Sequence, residues 1–354
     1  MLSSSRIRRA VSGLSALLLP ATLTAQVEHH TLAGDRVAVY NLAGKLRVQS
    51  GTGSQVAVDV TRGGHDASQL RVLQGDIRGF NTLRIVYPGD RVIYSQMGYR
   101  SRTQLRVNSD GTFDDNDHDG WGSRNRVEIR DSGSGLEAFA DLVVSVPKGQ
   151  RIVLHWGVGD ATVSNVDGDI RVSVAAAHVS AEHTRGILKL DTGSGGVEVS
   201  DAQGEVTLDT GSGGVTVNGV RGESLLMDTG SGSIHGGDVD VKTLKMDVGS
   251  GGLRLDRIKA PRVTADAGSG GVDLSFLAPV TDLSAESGSG GVTVRLPAAQ
   301  TGEVDIETGS GGIDTDFPIT SSRLARHHIR GTIGTGTGRI RIEAGSGSVR
   351  LLKS

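Results

Sequence analysis

The second half of the chain alternates apolar and polar positions in short runs that return at a nearly constant interval. In one run Leu188 and Leu190 are apolar, Lys189 between them is polar, and Asp191 follows. The alternation resumes at Val197, after the glycine-rich stretch TGSGG. Because successive side chains of a strand point to opposite faces, this period of two predicts strands with one buried and one solvated face.

One acidic position marks the same place in each repeat. Its copies are 18 to 21 residues apart, and a last interval of 36 residues fits two coils, one of them degenerate. The acidic residues are Asp191, Asp209, Asp228, Asp247, Asp266, Glu286, Glu307 and Glu343. Coils this short leave no room for helices, so equivalent strands of successive coils are expected to pair in parallel. The repeats predict an all-β fold, a right-handed parallel β-helix (a solenoid) with about 18–21 residues per coil and about eleven coils after residue 150.

Residues 26–150 carry a weaker pattern than residues 151–354. The stretch from Val39 to Arg62 has the spacing of a first, imperfect coil, and later runs such as TLRIVYP and ADLVVSVP indicate hairpins. A solenoid needs a cap, because its terminal strands would otherwise leave unpaired edges. We therefore expect an N-terminal β-rich cap or hairpin insertion over 26–150 and the repeat solenoid over 151–354. The 53 glycines and the aromatic content of 3% fit tight corners around a narrow core.

Residues 1–25 have the order of a secretory signal peptide. Three arginines precede an apolar run from Ala10 to Leu19, and small residues end at Ala25. The protein is thus expected to be exported to the periplasm, the outer cell surface or the extracellular space. After this leader the sequence has no apolar run long enough for a transmembrane helix.

Composition excludes several classes of function. The net charge is −3, and the sequence has no basic patch with interleaved aromatic residues, so nucleic acid is not an expected partner. The chain has no cysteine, which excludes disulfides, thiolate metal sites and a cysteine nucleophile. Adjacent histidines on a strand point to opposite faces, so the two His-His pairs do not suggest zinc.

The acidic positions are expected on the outer side of their strands, as a row of like charges. Two interpretations remain open. In the first, each acid accepts a hydrogen bond from the backbone amide two residues on and shapes the corner, together with the serine that follows. In the second, Ca²⁺ bridges successive carboxylates. The letters DTGS at Asp191 also occur in aspartic proteases, but those enzymes need two carboxylates that share one proton, and here eight equivalent acids follow one another along the coils.

One loop of the N-terminal region contains a second group of acids. In DDNDHDGWG, the residues Asp115, Asp117, Asp119 and Gly120 have the DxDxDG spacing that places three oxygens around one cation, with glycine at the sharp turn. The twelfth position of such a loop is Arg126 instead of glutamate. The segment is either a calcium loop or a solvated acidic hairpin tip. No other cofactor is expected.

Four stretches of the sequence carry a family resemblance. The TGSGG-type repeats, VYNLAGKLRV, VVSVPKG and the closing GTIGTGTGRIRIEAGSGSVRL resemble the bacterial putative-adhesin family, domain of unknown function 4097. The resemblance runs from about Val39 to the C-terminus. It implies a β-strand-repeat protein of the cell envelope or surface, and it implies no catalytic residues.

Three functions are compatible with these observations. The first is a non-enzymatic, exported, adhesin-like solenoid that binds or scaffolds at the cell envelope, with a glycan or an envelope protein as partner. The second is a polysaccharide lyase or hydrolase of the β-helix type, for which Arg254, Asp256 and Asp273 form a candidate patch. The third is a periplasmic accessory or sensor protein in an envelope-stress system.

Overall fold

The computed structural model describes residues 26–113 and 125–354, and these residues are almost entirely strands and turns. The exception in the described chain is a 3-10 helix of one turn, Ala67–Gln69. The all-β prediction is therefore confirmed.

The first eleven strands precede the regular repeats. They are β1 (Val27–Leu32), β2 (Arg36–Ala43), β3 (Leu46–Ser50), β4 (Val56–Gly63), β5 (Arg71–Ile77), β6 (Phe80–Val86), β7 (Arg91–Ile93), β8 (Arg102–Val107), β9 (Asn125–Arg130), β10 (Leu136–Glu137) and β11 (Phe139–Val146).

The strands of the repeats follow. The first ten are β12 (Gln150–Val158), β13 (Ala161–Ser164), β14 (Asp167–Ala176), β15 (Val179–Glu182), β16 (Arg185–Ser194), β17 (Val197–Ser200), β18 (Gln203–Thr210), β19 (Val215–Asn218), β20 (Arg221–Thr229) and β21 (Ile234–Val248). The others are β22 (Leu253–Lys259), β23 (Arg262–Ala267), β24 (Val272–Phe276), β25 (Asp282–Ser287), β26 (Val292–Leu296), β27 (Gly302–Thr308), β28 (Ile313–Thr315), β29 (Ile319–Ala325), β30 (His328–Ile333), β31 (Arg339–Ala344) and β32 (Val349–Lys353).

Each coil contributes one strand to each of two sheets. Sheet A contains, in spatial order, β5, β6, β2, β12, β14, β16, β18, β20, the end of β21, β23, β25, β31, β27, β30 and β29. Sheet B contains β1, β4, β11, β3, β13, β15, β17, β19, the start of β21, β22, β24, β26, β32 and β28. From β12 to β28 the neighbouring strands are parallel in both sheets, as the repeats predict.

The two sheets enclose a narrow core of mostly aliphatic side chains. The residue before each acid points into it and is buried, which confirms the predicted alternation: Leu190, Leu208, Met227, Met246, Ala265, Ala285, Ile306 and Ile342. On sheet B the buried column includes Val197, Val215 and Ile234. Aliphatic side chains at every rung let the coils stack without gaps, because each inward position meets an equivalent one above and below.

The N-terminal coil, β2 and β3, is lodged inside the stack, which means that each of its strands is paired with another strand on both sides. Strand β2 lies between β6 and β12, and β3 lies between β11 and β13. The indole of Trp156, the largest fully buried side chain among the described residues, donates a hydrogen bond to Gly44 O at 2.7 Å and ties β12 to this coil. Beyond it, antiparallel pairs β5–β6 and β1–β4 cover the two sheet edges, and β7 to β10 form a separate four-stranded cap sheet.

The C-terminal coil is also lodged inside the stack. Strands β31 and β32 lie between the coil of β25 and β26 and the coil of β27 and β28, so Glu343 is paired with both Glu286 and Glu307. The expectation that the 36-residue interval holds two coils is wrong. Part of it is the antiparallel hairpin β29–β30, because the sequence from Thr320 to Ala325 is exposed and offers no inward apolar column for another coil.

Candidate functional site

The acids of the repeats form one continuous column on the outer side of sheet A, which we call the acidic ladder. In spatial order it consists of Asp191, Asp209, Asp228, Asp247, Asp266, Glu286, Glu343 and Glu307. Each acid is the direct cross-strand partner of the next, and such partners on parallel strands lie about 4.8 Å apart. The strand register therefore places the same functional group at every rung over about 34 Å.

The backbone amides beside the ladder are used by the neighbouring coil. Two residues after Asp209, the Gly211 amide donates to Thr192 O at 3.0 Å. Two residues after Asp228, the Gly230 amide donates to Thr210 O at 3.1 Å. The interpretation of the acids as acceptors for these amides is therefore wrong, since the parallel ladder of backbone hydrogen bonds continues through the start of the corner.

Buried threonines hold the corner in place of the acids. The Thr210 hydroxyl donates to Gly195 O at 3.1 Å and accepts from the Gly213 amide at 3.0 Å. Thr229 and Thr308 make the equivalent pair of hydrogen bonds. Sequence reasoning missed this role, although a threonine follows several of the acids, because an alternating pattern gives no sign that one inward position is a hydroxyl donor. The carboxylates are thus left to face solvent.

The centre of the ladder is electrostatically strained. Partial burial, and then the carboxylates of Asp209 and Asp247, raise the pKa of Asp228 above its ordinary value. The same causes raise the pKa of Asp266, whose neighbours are Asp247 and Glu286. Within the described chain, Asp209, Asp228, Asp247 and Asp266 have no hydrogen bond or ion pair that would offset this repulsion.

The last rungs of the ladder are better compensated. Glu286 accepts a hydrogen bond from the Ser284 hydroxyl at 3.1 Å. Glu343 accepts one from Nε of Arg341 at 2.9 Å, and this arrangement raises the pKa of Arg341. The uncompensated negative charge is therefore concentrated in the middle of sheet A.

We predict that Asp228→Asn stabilises the protein near neutral pH. Because the pKa of Asp228 is raised on folding, its favourable contribution is complete below the unfolded value of about 3.9 and is lost as the pH rises through the folded value. The uncharged amide removes that loss, for a gain of about 0.5 kcal/mol after screening at this exposed position. Thermal unfolding of both proteins should show a higher melting temperature for the variant near neutral pH and equal values below pH of about 3.9.

Asp238→Asn is the matched control. A bidentate ion pair with Arg257, at 2.7 and 2.8 Å, lowers the pKa of Asp238, so its contribution is present above the unfolded pKa and is lost as the pH falls. This variant should melt at a lower temperature near neutral pH. Equal melting temperatures for Asp228→Asn and the parent at neutral pH would show that the ladder is not strained.

Beyond Asp191, toward the cap sheet, the same column of paired positions continues with residues that are not acidic. Asp191 is paired with Ser173, which is followed by His155 and Tyr40. The Tyr40 and His155 rings are stacked, with centroids 4.4 Å apart, and Phe113 contacts Tyr40 edge-on at 5.9 Å. Tyr40 and Phe113 come from the lodged coil and the cap, so the repeat pattern could not place them beside His155.

The other candidate residues do not form a second site among the described residues. Asp273 contacts Arg295 and lies 3.8 Å from Arg254, while Asp256 is paired with Arg257 at 2.7 Å. The three residues of the candidate lyase patch are thus divided between two ion-pair groups. No group of three or more His, Asp or Glu side chains in the described chain is arranged to hold a metal ion. The proposed calcium loop with Asp115, Asp117 and Asp119 lies outside the described residues.

The fold and the repeated corner define a β-solenoid protein of one known family. The chain belongs to the Toastrack DUF4097 family, whose profile matches residues 99–352, and this confirms the resemblance found in the sequence. No match is found among curated proteins. In the part of the chain that the structure describes, no helix is long and apolar enough to cross a membrane.

One solved structure is similar over most of its length. It is the crystal structure of "a putative cell adhesion protein" from Clostridium sporogenes ATCC 15579, with 9% sequence identity and a TM-score of 0.23. The match covers 93% of this chain and 99% of that chain.

Proposed function

We propose that the protein is an exported, non-enzymatic, adhesin-like solenoid that binds or scaffolds at the cell envelope. The observation that carries this proposal is the acidic ladder, because it repeats one exposed group at every rung of a rigid sheet. A repeated array favours a long and regular partner, such as a glycan or an extended envelope protein, over a small substrate.

The ladder also argues for binding instead of catalysis. Catalysis by carboxylates depends on two groups whose surroundings give them different pKa values and roles. The central acids of the ladder have equivalent surroundings. The pKa values of Asp228 and Asp266 are both raised, by partial burial and by the neighbouring carboxylates. A row of like charges can instead share cations with an anionic polymer, so calcium is the ion to test.

We extend the proposal to the organisation of the chain. Residues 1–25 act as the signal peptide, residues 26–150 cap the solenoid, and residues 151–354 form its repeats. The coils are right-handed, with about 18–21 residues each. The lodging of 36–50 between later strands supports a cap that is continuous with the solenoid.

The test is retention of the protein on a panel of immobilised bacterial and plant polysaccharides, with and without calcium. We expect retention without the formation of new sugar ends. The triple variant Asp209→Asn, Asp228→Asn, Asp247→Asn should lose most of the retention, because it removes three of the four uncompensated acids of the ladder.

The control replaces three acids that are off the ladder, by Glu182→Gln, Glu198→Gln and Glu205→Gln, and it should bind like the parent. Equal retention of both triple variants would remove the ladder from the proposal. New sugar ends that depend on any of these acids would show an enzyme and overturn it.

A further inference from the structure

A segment near the C-terminus carries a local excess of positive charge. From Pro318 to Ile342 the sequence has five arginines and two histidines and no acidic residue, although the whole chain has a net charge of −3. This segment contains the hairpin β29–β30, which we call the basic ribbon. It lies at the opposite end of the stack from the cap sheet.

The basic ribbon extends sheet A beyond sheet B. On sheet A, β30 and β29 follow β27, whereas on sheet B the last described strand is β28 of the same coil as β27. All residues of β29 after Ile319 are exposed, on both faces of the strand. The end of the ribbon near its turn therefore has solvent on the side where the rest of sheet A has the core, whereas Ile319 and Ile333 at its other end pack against the core.

The strand register gives the ribbon two different faces. Leu324 is paired with Ile329, and Ile329 is paired with Ile306 of the core, so all three are on the inward side. The Leu324 side chain is 74% exposed. On the other side Arg323 is paired with Arg330, and Arg326 lies in the turn between the strands. The ribbon is amphipathic, with an apolar face and a cationic face.

The arginines of the ribbon lie beside one acid but do not pair with it, since Arg330 is the cross-strand neighbour of Asp305, whose carboxylate contacts His328 at 2.8 Å. Among the described residues, Arg323, Arg326 and Arg330 form no ion pair. Some surface arginines elsewhere in the described chain are paired, as Arg257 is with two aspartates, whereas others such as Arg185 and Arg221 are not. Unpaired guanidinium groups beside an exposed leucine fit a ligand that offers phosphates and an apolar layer together.

We propose that the basic ribbon docks on an anionic lipid surface. The apolar face with Leu324 enters the interface, and Arg323, Arg326 and Arg330 bind the lipid phosphates. The inference deepens the proposed function, and rests on it for placing the protein at the envelope. It also gives the solenoid an orientation, with the ribbon end at the membrane and the acidic ladder pointing along the stack away from it.

Two other occupants fit the ribbon less well. A second copy joined ribbon to ribbon would bring two unpaired clusters of arginines together, and like charges at close range repel. Single-stranded nucleic acid is commonly held by stacking of its bases on aromatic side chains, and residues 318–342 include none. An exposed leucine among arginines instead matches the composition of interfacial membrane segments.

The test is flotation of the protein without residues 1–25, which contains all described strands, with lipid vesicles. Vesicles of phosphatidylcholine alone are compared with vesicles of phosphatidylcholine and phosphatidylglycerol in equal amounts. We expect binding to the anionic vesicles that weakens with added salt. The variant Arg323→Gln, Arg326→Gln, Arg330→Gln should bind about a hundredfold more weakly, and Leu324→Ser about tenfold more weakly.

Matched controls separate the ribbon from general surface effects. The variant Arg185→Gln, Arg221→Gln, Arg262→Gln removes three exposed arginines of sheet A, and Leu277→Ser removes a leucine that is 56% exposed elsewhere. Both should float like the parent. Equal flotation of the ribbon variants and their controls overturns the proposal, as does equal binding to neutral vesicles.

Two further outcomes identify a different occupant. Binding to soluble polyphosphate but not to vesicles would assign the arginines to a free anionic polymer and overturn the lipid proposal. A change in sedimentation of the protein caused by Leu324→Ser would point to a second copy and overturn it too. The ladder variants should still float, so failure of the glycan test and failure of this test are distinguishable.

Discussion

Gly251→Ala is expected to destabilise the protein by about 3 kcal/mol, whereas the adjacent Gly252→Ala has little effect. The two glycines belong to the same corner, but their missing side chains point in different directions. A Cβ on Gly251 would overlap the carbonyl group of Gly232 in the preceding coil. A Cβ on Gly252 would lie 3.6 Å from Gly271 O, an ordinary van der Waals distance.

The sequence itself supports the contrast between these positions. The column of Gly252 contains Ser233 and Ser348, so that position accepts a side chain. The column of Gly251 is glycine at each rung of the ladder corner, because the carbonyl below belongs to the backbone and cannot turn aside: Gly195, Gly213, Gly232, Gly270, Gly290, Gly311 and Gly347. Each corner must therefore approach the previous coil without a Cβ.

Urea unfolding followed by tryptophan fluorescence measures the difference, since Trp156 is fully buried. The midpoint should fall strongly for Gly251→Ala and stay near the parent value for Gly252→Ala. If both variants unfold at the parent midpoint, the corners have room to separate, and the tight stacking described above is not required for stability.

Ile342→Ala is expected to cost about 3 kcal/mol, and Ile313→Ala about 1 kcal/mol, although Ile342 is closer to the C-terminus. Ile342 is fully buried in the lodged coil, between β25 and β27. Ile313 is partly buried in β28, the last described strand of sheet B. The end of the chain is therefore in the interior of the stack, and an earlier coil is at its end.

Hydrogen exchange gives an independent measurement of the same contrast. Amides of β31 should exchange more slowly than those of β28 and β29, because β31 has a paired strand on both sides. Faster exchange in β31, together with equal costs for the two isoleucine variants, would contradict the lodged position of the last coil.

The repeats could be recognised in the sequence because every coil has the same packing requirements. An inward apolar residue, an outward polar residue and a corner glycine are local requirements, and they recur whenever the backbone returns to the same position. The sequence therefore located the acidic ladder correctly, including the pairing of Asp191 with Asp209 and of Asp209 with Asp228. It misjudged the corner chemistry, because the hydrogen bonds of Thr210 and Gly211 reach the neighbouring coil.

By itself, the sequence determined the all-β class, the buried and solvated sides of the strands and the membership of the acidic ladder. Only the tertiary structure decided the order of the coils at both ends, where β2 and β31 are lodged between strands that are distant in sequence. It also decided that residues 319–333 project as a basic ribbon. The physical reason is that side-chain alternation is set within one strand, whereas any coil with matching inward residues can occupy any rung, so the choice of neighbour depends on the whole stack.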